Sequence, residues 1–364
     1  MRILLLLAAI FAPHRAEAHV KWFAPYIVGA PPASVTVTLR DPWFWTAIAL
    51  VLVFFLATRG IEGTRAGAVV TGWLDRGTAG LWARRDDFVR AVTAAFFVAI
   101  FAVGGVYLTP DLKTEADWIS WTQLLIAAGV FWRATMPLSA VGIIALWVLA
   151  LRDYDVFHLL DYLALGVAVA AYLVLAATRR SEWHRHRFEV LRWGVAIALM
   201  WSSLEKFAYP EWFHPLVEEK PFLTFGLPRD VFIPMAGVAE FTLGFGLLGT
   251  PLVRRLSALA LILIFIAAVW PFGRIDLVGH ALIMAILIVI AVDPTPELHF
   301  LRPVRQSLIG IPFGLIGALV LFATAYWGLH AALYGSDGGT DLPKAPPGAT
   351  HSPSAEHPHG TAGP

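Results

Sequence analysis

The chain of 364 residues contains no cysteine. That absence excludes disulfides, thiolate metal sites, iron–sulfur clusters and dithiol redox relays. Charge is scarce as well: 15% of residues are Asp, Glu, Lys or Arg, against about 25% in an ordinary soluble domain. A formal net charge of +1 removes nucleic acid from the partners that composition supports. There is no Gly-Lys-Ser phosphate loop and no Gly-x-Ser-x-Gly elbow, so neither an ATP-driven pump nor a serine hydrolase has a local motif. What fills the chain instead is apolar: 58% hydrophobic residues, 15 Trp and 24 Phe, with a mean hydropathy of +0.68. Apolar runs recur at 43–57, 93–108, 141–151, 163–177, 193–204 and 307–328. The expected fold class is all-α, a polytopic transmembrane helical bundle in a lipid bilayer.

Residues 1–18 combine a basic start, an apolar stretch and an Ala-x-Ala ending at Ala18, which reads as a cleavable signal peptide. Cleavage there makes His19 the mature amino terminus, outside the bacterial inner membrane. From that start we place about ten spans near 42–58, 88–108, 119–134, 137–151, 156–178, 188–207, 231–250, 255–271, 275–292 and 307–330. One side then collects Arg59, Arg65, Arg76, Arg84, Arg85, Arg90, Arg133, Arg179, Arg180, Arg185, Arg187, Arg192, Arg254, Arg255, Arg302 and Arg305. The other holds only Lys21, Arg40, Lys113, Arg152, Lys206, Lys220, Arg229, Arg274 and Lys344. The excess of cations marks the first side as cytoplasmic and puts both mature termini outside. The expected domains are a signal segment 1–18, an external segment 19–41, a first span with its cytoplasmic loop over 42–84, a four-helix unit 85–186, a second unit 187–294, a last span 295–333 and a disordered external tail 334–364 containing His351, His357 and His359.

The two units carry a weak internal repeat. Each begins with an arginine, Arg90 or Arg192, and an apolar span ending at Tyr107 or Tyr209; each has Leu-Ser-Ala after its inner turn, at 138–140 and 256–258; each last span opens on ionisable residues, YDVFHLLDY or FGRIDLVGH. In the second copy the stretches VLRWGVAIALMWSSLEKFAYP and FGLPRDVFIPMAGVAEFTLGFGLLGT resemble the DoxX family of four-helix membrane proteins, with Arg192, Lys206, Glu240, Gly244, Gly246 and Gly249 on its pattern. The first copy departs from that pattern, with Thr122 and Gln123 near the Glu240 position and no lysine closing its first span. The resemblance implies a fold more strongly than a function. Through the family's name it also implies a quinone-linked membrane oxidoreductase subunit, whose partner would have to supply the redox centres.

Ionisable residues within a bilayer are costly and face the protein interior or water. His158 and Asp161 stand three apart, and Asp276 and His280 four apart, so each pair shares a helix face near the outer end. If the pairs converge between the units, they suit a divalent metal such as copper, or a proton relay beside a quinone. His19, with its free amine, is a further copper ligand in that reading. Each Asp bonding its own His is the simpler alternative. Glu240 lies deep enough to need a partner, for which Lys206 and Glu205 are the candidates. The loop YPEWFHPLVEEKPFLTFGLP suits a short interfacial helix over the outer mouth. The functional expectation is transport or periplasmic handling of a divalent metal by a non-catalytic chain; the alternatives are the quinone-linked subunit and an assembly subunit.

Overall fold

The computed structural model describes residues 19–21, 24–295 and 308–335. The expected signal peptide, Arg302, Arg305 and the three tail histidines lie outside the described residues. A small antiparallel hairpin, β1 (His19–Lys21) with β2 (Ala24–Tyr26), pairs His19 with Tyr26. Everything after it is helical or loop. The long helices are α1 (Pro42–Glu62), α2 (Arg65–Ala83), α3 (Arg85–Val103), α4 (Asp117–Gly129), α5 (Met136–Ala150), α6 (Val156–Ala177), α7 (Arg187–Ser203), α8 (Arg229–Gly246), α9 (Pro251–Phe272), α10 (Arg274–Ala291) and α11 (Gly310–Tyr334).

Local chemistry sets several of the boundaries. Asp41 accepts from the Trp43 amide with Pro42 in the first turn, which starts α1; Thr64 caps α2 through the Gly67 amide; Asp155 caps α6 through the His158 amide. By length and composition α1, α6, α10, α11 and the stretch Pro251–Val269 of α9 are long and apolar enough to cross a membrane. The bundle's sides carry exposed Leu125, Leu138, Val141, Leu263 and Val320. Apolar flanks of this kind suit lipid, where a soluble protein would show charge. These features support a multi-pass membrane protein.

α3 to α6 pack in sequence, each on the next, as do α7 to α10. The two runs join where α6 lies along α7 and where α10 lies along α3, and one hydrophobic core runs through both. α1 packs on α8 and α9, and α11 crosses α1, α6, α7 and α8.

The stretch 65–83, expected to be loop, is a helix. Its contacts explain the difference: Asp75 bonds Arg255 at 2.6 Å, and Glu62 just before it accepts from the Leu252 amide at 2.8 Å.

The two ends of the bundle differ chemically. At one end arginines converge: Arg187 makes a bidentate pair with Asp86 at 2.8 Å, and Arg192 bonds Asp293, whose backbone carbonyl also accepts from Arg254 and Arg255 at 3.0 Å each. At the other end tyrosines meet carboxylates. Tyr26 and Tyr334 both donate to Asp155, which ties β2 and the end of α11 to the start of α6. Tyr107 donates to Asp153 at 2.5 Å.

Candidate functional site

A cavity of about 860 Å³ lies between the two helical runs, near the tyrosine end. Its walls are apolar, formed by Phe96 and Phe97 of α3, Ile143 of α5, Leu165 and Val169 of α6, Leu199 of α7, Phe265 of α9 and Ile283 of α10. The segment 210–227 covers it. Three short turns, Pro210–Phe213, His214–Glu219 and Pro221–Thr224, place Phe213, Val217, Phe222 and Phe225 over the space. Phe225 takes a left-handed φ of 53° at the end of the last turn, a conformation disfavoured for a bulky side chain. The expected interfacial helix over the mouth thus takes the form of a chain of short turns.

Five of the candidate residues line this one cavity: Asp161, Glu205, Lys206, Glu240 and His280. α7 tightens at Leu204, whose amide bonds Trp201 at i−3, and the short helix Glu205–Ala208 that follows turns Glu205 and Lys206 inward. Lys206 Nζ donates to Glu240 Oε2 at 2.7 Å and stands 5.0 Å over the Phe213 ring. The close approach depends on Gly237, where an added Cβ would lie 2.7 Å from Phe207. Sequence reasoning named Lys206 as a partner for Glu240, and the structure makes that pair.

The His280 and Asp276 side chains meet at 3.2 Å, and His280 Nδ1 also lies 3.0 Å from the Asp276 carbonyl. Each end of this pair is buried, with the His280 ring packed 5.1 Å from Phe265. This is the simpler alternative of an Asp serving its own His, now on the cavity wall.

His158 takes a different place from its neighbour. Asp161 lines the cavity, whereas the His158 ring sits 1% exposed among Tyr26 at 4.3 Å, Tyr154 at 5.4 Å and Tyr162 at 5.9 Å. The expected convergence of His158, Asp161, Asp276 and His280 on one metal is not found: among the described residues, no three His, Asp or Glu side chains gather to hold a metal ion. One turn of α6 separates the two roles, and Tyr26 from the hairpin occupies the side of His158 that a metal would need. The His19 side chain lies outside the described part of the chain.

Two functional-looking groups carried no signal in the sequence. Tyr162 lines the cavity and donates to Asp111 in the loop after α3, so a hydrogen bond runs from the cavity wall to the tyrosine end. Gln123 is fully buried and donates to the Val106 and Tyr107 carbonyls at 2.6 and 2.8 Å. Outside the spans, burial first and the Asp155 carboxylate second hold Tyr26 well above the usual phenol range. Burial and the hydrogen bond to Asp153 push Tyr107 up to about 12. Both hydroxyls therefore stay protonated and donate.

Chemically, the site offers a long apolar slot with a polar end of three carboxylates, one ammonium and one imidazole. Compared with protein-family models, curated proteins and solved structures, the chain matches none.

Proposed function

We propose that the protein is a bacterial inner-membrane subunit that binds a quinone-class molecule in the cavity between its two helical units. The observation that carries this reading is the cavity itself: about 860 Å³, with apolar walls and Asp161, Glu205, Lys206, Glu240 and His280 at its lining. Small-molecule sites have this form, apolar walls with a few placed polar groups. A quinone has a flat ring bearing two carbonyl oxygens and an apolar tail. The tail suits Leu199, Phe265 and Ile283, and the carbonyls suit donors such as Lys206 and Tyr162. Three carboxylates near the polar end make an anionic ligand the poorer fit. With no cysteine in the chain, any thiolate-held redox centre belongs to a partner subunit.

The same reading takes the architecture as ten spans, with two tandem DoxX-like four-helix units, α3–α6 and α7–α10, flanked by α1 and α11. Two observations support it. The contacts between units come in an equivalent pair, last helix on first helix, α6 on α7 and α10 on α3. Moreover, the glycine near the end of each second helix meets the serine of each Leu-Ser-Ala. A Cβ at Gly129 would lie 2.2 Å from Ser139 Oγ, and one at Gly246 would lie 2.2 Å from Ser257 Oγ. Such units are related by an axis along the membrane normal. The arginine end is then cytoplasmic and the tyrosine end, with both mature termini, is outside.

The test is a titration of the purified full chain, in detergent micelles, with a short-tailed ubiquinone analogue, read by quenching of tryptophan fluorescence. Trp201 lies on α7, in the layer behind the cavity wall. Saturable quenching, weakened at least tenfold by Leu199→Trp, which fills the slot, supports the reading. Quenching that stays linear and identical in both proteins would overturn it.

A further inference from the structure

We propose that α2 is an in-plane helix that seats on the bilayer surface by binding anionic lipid headgroups. Three contacts fix its course. Just before its start, Glu62 bonds the Leu252 amide in the first turn of α9; at its middle, Asp75 bonds Arg255, also of α9; near its end, Trp82 lies 5.7 Å from Phe188 in the first turn of α7. All three anchor points belong to the arginine end of the bundle. A helix of 19 residues is about 28 Å long, so α2 runs across that end and does not return through the bundle. Only Gly67 is buried along it.

The face turned away from the bundle has the chemistry of an interfacial helix. Val69, Val70 and Trp73 share one side and are exposed, Val69 and Trp73 each at 68%. Arg65 and Arg76 run along the edge of that side, and Arg84 follows the last turn, all three exposed. The helix contains one acid, Asp75, and it is spent on Arg255. The outward face is therefore apolar with a purely cationic rim. A membrane-embedded bundle brings the bilayer surface to this level, and charge complementarity selects phosphates that carry a net negative charge over zwitterionic ones. The energy scale for a basic residue near such a surface corresponds to up to about fivefold in association for each arginine.

The absence of cysteine makes the experiment clean. The full chain carrying Val69→Cys is labelled with an environment-sensitive fluorophore and reconstituted in vesicles of phosphatidylcholine alone or with phosphatidylglycerol. The expected result is an apolar emission spectrum, quenched by lipids bearing a nitroxide near the headgroup. In parallel, spin-labelled phosphatidylglycerol should associate with the protein several-fold more than spin-labelled phosphatidylcholine, and R65Q/R76Q/R84Q should bring that ratio close to one. An emission spectrum typical of water with no nitroxide quenching would overturn the seating. A ratio unchanged by the triple substitution would overturn the role of the arginines. Circular dichroism and elution volume of the triple variant confirm that it is folded before either reading is taken.

Discussion

Lys206 and Glu240, from consecutive elements of the second helical unit, form a 2.7 Å ion pair on the wall of the cavity. Their side chains are 16% and 26% exposed, between the surface pairs that contribute little and the buried pairs whose disruption strands a charge. Glu240→Ala should therefore destabilise the protein by about 1–3 kcal/mol, read as a lowered unfolding temperature in detergent. The double substitution Lys206→Met with Glu240→Leu should recover most of that loss, because it removes both charges. A double variant as unstable as the single one would mean that the two residues act independently.

A stronger effect belongs to Asp293, which is 2% exposed. It pairs with Arg192, its backbone carbonyl accepts from Arg254 and Arg255, and its second carboxylate oxygen accepts from the Thr295 amide and hydroxyl at 2.8 and 2.6 Å. Asp293→Asn preserves the shape and removes the one carboxylate facing Arg192. We expect a loss of about 3–5 kcal/mol, seen as aggregation during extraction or a sharply lowered midpoint in denaturant. Asp75→Asn, whose side chain is 42% exposed, should cost far less in the same assay.

Much of this arrangement was legible in the sequence, and the remainder depended on contacts between distant segments. Hydropathy located the apolar helices because period and length are local properties. The partnership of Lys206 with Glu240 was legible because the resemblance placed both on neighbouring helices. The i, i+4 spacing likewise foretold Asp276 beside His280. What spacing could not decide was which member of the His158 and Asp161 pair faces the cavity. That depends on Tyr26, 132 positions before His158, filling one side of α6. Similarly, α2 reads as a loop from its glycines and arginines, and becomes a helix against Arg255 and Leu252.

Alkaline pH should weaken the tyrosine end first. Burial and the Asp153 bond raise Tyr107 to about 12 in the folded chain, against about 10 in the unfolded one. The folded state thus holds its proton longer. The stabilisation is complete below pH 10 and is lost as pH rises through the folded value, between about 10 and 12. Unfolding temperature measured across that window should fall, and Tyr107→Phe should flatten the slope there while leaving the region below pH 9 unchanged in shape. An identical slope in the variant would remove Tyr107 from the titration.

The glycine–serine contacts give the sharpest comparison between the units. An alanine at Gly129 would set its Cβ 2.2 Å from Ser139 Oγ but 3.5 Å from Ser139 Cβ, with the Thr135 carbonyl at 3.4 Å. The clash is therefore with the hydroxyl, which also donates to the Ile126 carbonyl at 2.9 Å. Gly129→Ala should cost about 1–3 kcal/mol, and adding Ser139→Ala should restore most of it by opening that space. At Gly246 the added Cβ meets Ser257 Oγ at 2.2 Å and also the Phe55 ring at 2.9 and 3.0 Å. Phe55 belongs to α1, which packs on the second unit and has no counterpart against the first. Ser257→Ala should therefore rescue Gly246→Ala only weakly, since the aromatic ring, held at 0% exposure, still blocks the new methyl. Thermal unfolding of the two single and two double variants reads both cases side by side. Equal rescue in both units would show that α1 yields at Phe55, and that the two glycine–serine contacts are mechanically equivalent.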